Sequence, residues 1–280
     1  MTIEQVDLAL AELDAINPND EFAYEKALTA FTKMQSVPVI DLSMDKPIDF
    51  FRARRDNDDI FFKKIDEIGV TPDKFIAYFG RCNRPYQSKF YSSENRPTSY
   101  MEIAESILYD RNVGDITFIT IGQWRSNRAF RFIIVTSPDP EKRISEFDKH
   151  CGEKFDKIIN KYPAERRDAT IKVYEYLFEK FRKDAKKDPH TYLITAAYSN
   201  LAMSQMEDIA AICYPSVPFQ QQGLNFAFNK TFVKGGKIEL VSAARDKFIV
   251  VHNEHGIKSL KQLETHPASQ IDGVSGVINW

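Results

Sequence analysis

Lys89-Phe90-Tyr91-Ser92-Ser93-Glu94-Asn95-Arg96-Pro97-Thr98-Ser99-Tyr100-Met101-Glu102-Ile103-Ala104 changes character once, and that change decides the fold class. Lys89 to Ser92 reads as a short strand. Pro97-Thr98-Ser99 then precedes what reads as the first turns of a helix, capped by Thr98 or Ser99. A strand carrying Tyr91 is thus followed at once by a helix carrying Glu102, which brings a ring and a carboxylate close together.

Before this stretch, Ile3, Val6, Leu10, Leu13 and Ile16 recur at helical spacing until Asn17-Pro18-Asn19-Asp20 breaks the pattern. A second helix is expected over Phe22 to Met34, ending before Val37-Pro38. The region from Arg54 to Asp59 reads as a charged loop, and Thr71-Pro72-Asp73 as a turn. After the stretch, Thr117 to Ile121 and Phe130 to Val135 are rich in β-branched and aromatic residues and read as two paired strands. A helical hairpin is expected in 141–190, with Ile158 and Ile159 on one apolar face and Leu177 and Phe178 on the other, divided at Tyr162-Pro163. A further helix is expected near Ala196 to Met206. Strands follow at Ala211 to Tyr214, Phe226 to Phe232, Ile238 to Ala243 and Phe248 to His252, with turns at Gly235-Gly236 and Arg245-Asp246. The pattern is that of an α+β protein.

With 43% hydrophobic and 28% charged residues, 280 residues can bury a substantial core, to which 21 Phe and 12 Tyr contribute. A net charge of -2 and a pI near 6.3 give no electrostatic reason to expect nucleic acid or a membrane surface as a standing partner. Three dispersed cysteines, Cys82, Cys151 and Cys213, with no basic-then-apolar leader at the start, suggest a reducing cytoplasm.

The side chains that carry chemistry are Arg52, Arg81, Tyr91, Glu102 and Ser216. Two guanidinium forks match phosphate oxygens, a ring can pack on an aromatic ligand, and a hydroxyl can bond a carboxamide or ribose oxygen. A carboxylate stabilises an oxocarbenium-like ribosyl cation. Together they suit an anionic, aromatic ligand, with NAD the first candidate. Each residue also has a plainer explanation: surface ion pairs for the arginines, core packing for Tyr91, a helix-dipole partner for Glu102 and a strand end for Ser216. Arg54, Arg55 and Arg84 are expected to be solvated. His252 to His255 fits no metal-ligand spacing, and Cys213 lies in an apolar run where thiols are inert.

The phrases Phe51-Arg52-Ala53-Arg54, Gly80-Arg81-Cys82-Asn83-Arg84-Pro85, Phe90-Tyr91 with Glu102 eleven positions on, and Tyr214-Pro215-Ser216-Val217 with Gly223 and Asn225 resemble the RES domain. That family is named for an arginine, a glutamate and a serine, matched by Arg52, Glu102 and Ser216. Tyr86 stands where the family carries glycine. The resemblance implies an ADP-ribosyltransferase-like mixed β core in 46–256, to which the helical insertion, an N-terminal helical cap in 1–45 and a polar tail in 257–280 are extra segments read from the sequence pattern. It also implies cleavage of the nicotinamide–ribose bond of NAD by hydrolysis or, with inorganic phosphate as co-substrate, by phosphorolysis. Arg52, Tyr91 and Glu102 would be catalytic, Arg81, Ser216 and Asn225 would hold the dinucleotide, and no metal is needed. A growth-inhibiting toxin restrained by an Xre-like antitoxin is the biological expectation. The alternatives are a protein ADP-ribosyltransferase or a regulatory protein that binds nucleotide without turnover.

Overall fold

A computed structural model describes residues 1–56, 60–183, 188–216 and 223–280. The far end of the charged loop expected at Arg54 to Asp59, residues 184–187 of the insertion, and Val217 lie outside the described residues. Two helices open the chain. Thr2 and Gln5 form a reciprocal cap on α1 (Ile3–Ala15), and α2 (Ala23–Thr32) follows. Their apolar faces, with Val6, Leu13, Ala27 and Phe31 fully buried, pack on α6 (Ala164–Arg182) and α7 (Pro189–Ser204).

Among the described residues, nine strands form one sheet: β1 (Asp41–Met44), β2 (Asp49–Arg55), β3 (Lys89–Ser93), β4 (Ile116–Ser126), β5 (Phe130–Ile134), β6 (Ile209–Pro215), β7 (Leu224–Asn229), β8 (Ile238–His252) and β9 (Lys258–Pro267). The spatial order is β1-β5-β6-β7-β3-β2-β4-β8-β9, antiparallel except for β5 with β6. Parallel neighbours need a long crossover. Here it is α5 (Glu146–Ile159), α6 and α7, so the helical hairpin is followed by a third helix that begins at Pro189 rather than near Ala196.

The strands expected to pair over 117–121 and 130–135 do not. β4 pairs with β2 and β8, and β5 with β1 and β6, five places away. In a flat sheet five places span about 24 Å, whereas the link from Ser126 to Phe130 reaches at most about 14 Å. The sheet therefore folds over on itself, and Phe50 of β2 meets Phe130 of β5 with ring centroids 6.0 Å apart. Inside the fold lie Phe90, Phe132, Phe226 and Phe228, while the alternate residues Ile133, Ile212 and Ala227 face the helices.

Of the two expected turns, the one at Arg245-Asp246 is absent and the one at Gly235-Gly236 is present but closes no hairpin. Arg245-Asp246 continues the single strand β8, because both side chains are buried and paired: Arg245 Nε donates to Asp56 Oδ2 at 2.6 Å, and Arg96 Nη2 to Asp246 Oδ2 at 2.9 Å. Gly235-Gly236 belongs to a π-helical turn, with Gly236 at φ 68°, and joins strands that are not neighbours. The expected strand Phe226 to Phe232 ends at Asn229, where a helical turn begins. The polar tail is structured: β9 extends the sheet, and β10 (Gln270–Asp272) pairs with β11 (Val277–Asn279). Trp280 Nε1 donates to the Phe62 carbonyl at 2.7 Å. Among the described residues no helix is long and apolar enough to cross a membrane.

Candidate active site

β2 and β3 meet at one described register point, Phe51 opposite Ser93, and then part, β2 following β4 and β3 following β7. Continued pairing would set Ala53 opposite Tyr91. Each of those two backbones instead takes a side-chain partner: the Ala53 N–H donates to Ser99 Oγ at 2.7 Å, and Arg52 Nη1 donates to the Tyr91 carbonyl at 2.6 Å. An unpaired buried peptide group is costly, and these two bonds satisfy the Ala53 N–H and the Tyr91 carbonyl where the sheet splits. The split opens into a cavity of about 430 Å³, a size suited to a small molecule.

Glu102 enters from α4 (Arg96–Asp110). The helix is capped by Asn95, whose side chain accepts from Thr98 N, not by Thr98 or Ser99 as expected. Starting it earlier puts Ser99 in the first turn, facing Ala53, and Glu102 further along, on the cavity. Ser216 Oγ and Asn225 Nδ2 both donate to Glu102 Oε1, each at 2.6 Å. The Asn225 amide is oriented by its cross-strand neighbour, Ser93 Oγ donating to Asn225 Oδ1 at 2.7 Å. Gly223 sits hard against α4: a Cβ there would lie 2.0 Å from Thr98 Oγ1, so only glycine permits the approach that carries Asn225 to Glu102. Ser216 and Asn225 are buried, Glu102 is open to solvent, and its Oε2 has no hydrogen-bond partner among the described residues.

The guanidinium of Arg52 lies 5.2 Å from the Phe90 ring centroid, and its Nε lacks a partner among the described residues. Burial, with the nearby Arg54 charge, pushes its pKa down to about 10, so it remains a cation at neutral pH. Arg81 is differently engaged. It donates to the carbonyls of Phe181 at 2.6 Å and Lys183 at 3.2 Å, capping the C-terminus of α6, and its guanidinium lies 5.3 Å from the Tyr192 ring centroid. Arg81 still lines the cavity, but those donors are occupied.

Tyr91 does not send its hydroxyl to the surface. It accepts from Cys82 N at 2.9 Å and donates to Asn83 Oδ1 at 2.6 Å, leaving the ring in the cavity wall. Tyr86 has φ 59°, a conformation that favours glycine.

Arg54 and Arg55 are not simply solvated. Both are half-buried along the cavity, Arg54 donating to the Glu67 carbonyl at 2.6 Å and Arg55 paired with Asp110 at 2.8 Å, whereas Arg84 is exposed. Sequence reading also missed Ser93, Ser99 and Tyr192. Small hydroxyls carry no periodic signal, and Tyr192 comes from the crossover helices. Burial pushes the Cys213 thiol up and that of Cys82 up to about 11, which makes both poor nucleophiles. Neither family models, nor curated proteins, nor solved structures give a match to this chain, so what the site does is argued from its own geometry.

Proposed function

We propose that the chain binds NAD in the split between β2 and β3 and breaks its nicotinamide–ribose bond. The observation that carries this reading is the seating of Glu102, one carboxylate oxygen held by Ser216 and Asn225 and the other left open beside a cavity whose wall is arginine-rich. A carboxylate restrained in this way stabilises positive charge developing on ribose without having to reorganise. The bonding pair leaves with nicotinamide and neutralises its ring, and water or phosphate then attacks the ribosyl carbon, releasing a proton to solvent. Arg52 and Arg54 supply cations for the pyrophosphate, and Tyr91 supplies a ring surface near the reacting end. Arg81 contributes charge and fixes the wall.

The exposure of Glu102 favours a second reading, transfer to a macromolecular acceptor that approaches the open side. A growth-inhibiting role, with a partner protein that covers the site, extends the resemblance. Three unpaired, buried cysteines suit a reducing compartment such as the cytoplasm. The test is incubation of the purified chain with NAD, with and without phosphate, following free nicotinamide and mass added to protein. Nicotinamide release supports the reading, and unchanged NAD under every acceptor leaves a nucleotide-binding protein in its place.

A further inference from the structure

We propose that Tyr192 is the stacking face for the adenine ring, so that the crossover helix α7 completes the dinucleotide site; this rests on reading the cavity as an NAD site. Tyr192 stands in the first turn of α7, half-buried, in the cavity wall. Arg81 holds the ring from one side and is itself anchored on the end of α6. The Tyr192 hydroxyl has no hydrogen-bond partner among the described residues, unlike that of Tyr91. Tyr214, also in the wall, is buried against Phe181 with ring centroids 5.3 Å apart. Tyr192 therefore offers a positioned aromatic surface that packing within the chain does not account for.

Tyr91 stands between Glu102 and Tyr192 in a series of contacts, which favours nicotinamide at Tyr91 and adenine at Tyr192. The contacts run in order from Glu102 through Asn225 to Ser93, then two residues along β3 to Tyr91, along its side chain to Gly80 and Cys82, and through Arg81 to Tyr192. Glu102 and Tyr192 both line the cavity and stand at opposite ends of this series of contacts. A dinucleotide with its reacting ribose at Glu102 and its nicotinamide against Tyr91 would present its other base to Tyr192, and a ring with a cation on one face stacks a purine on the other.

The test is calorimetric binding of ADP-ribose, AMP and nicotinamide mononucleotide to wild type, Tyr192→Ala and Tyr192→Trp, with thermal melts confirming that each variant folds. Tyr192→Ala should weaken ADP-ribose and AMP roughly tenfold or more and leave nicotinamide mononucleotide within twofold, while Tyr192→Trp retains all three affinities. Equal weakening of all three ligands, or of none, overturns the assignment, as does a wild type that binds no ADP-ribose. If ADP-ribose binds as expected while no acceptor yields nicotinamide, the catalytic reading falls and the stacking assignment stands.

Discussion

Arg52 bridges the two strands that part at the cavity, donating from β2 to the Tyr91 carbonyl of β3 at 2.6 Å. One side chain thus closes a break in the sheet and lines the cavity that the break creates. Arg52→Ala should lower unfolding stability by about 1–3 kcal/mol, because the Tyr91 carbonyl loses a charged donor. Arg52→Lys should restore much of that stability yet leave NAD turnover at least about tenfold down, since a point charge does not replace the fork. Urea denaturation and nicotinamide release on the same samples check both. An unchanged urea midpoint in Arg52→Ala would refute the bridging role.

Ser99 performs the complementary task for Ala53. Ser99→Ala should orphan that N–H and cost about 1–3 kcal/mol, with faster hydrogen exchange at the Ala53 amide. Ala53 protection equal to wild type would mean that another group takes the N–H.

Glu94, just beyond β3, accepts from Leu224 N at 3.0 Å, and burial pushes its carboxyl up to about 7. Between its unfolded value near 4.5 and about 7 the folded state retains a proton that the unfolded chain has released, so stability falls as pH rises through that window. The loss amounts to at most about 3 kcal/mol. Glu94→Gln should flatten the decline in Tm between pH 5 and 8 relative to wild type. Parallel Tm profiles for the two proteins would rule the effect out.

Legibility followed the range of the signal. Helical spacing located α1 and α2 because Val6, Leu13, Ala27 and Phe31 follow a local period. Strand partners did not follow from sequence, because β4 and β5 adjoin in the chain but lie five places apart in the folded sheet. Arg245 and Asp246 looked like a turn because charge usually marks solvent, whereas here each is buried with an opposite charge. At the site, the short phrases drew attention to Glu102, Ser216 and Asn225, which the fold joins directly. The capping duty of Arg81 was not legible, since its partners lie about a hundred residues away.

The most direct measurement is release of nicotinamide from NAD by wild type and by Glu102→Gln, a near-isosteric change that removes the negative charge. The account predicts turnover by wild type and a loss of about a hundredfold or more in the variant, with the melting temperature little changed. Equal rates in the two proteins, or no release by wild type with water, phosphate or protein as acceptor, would contradict it.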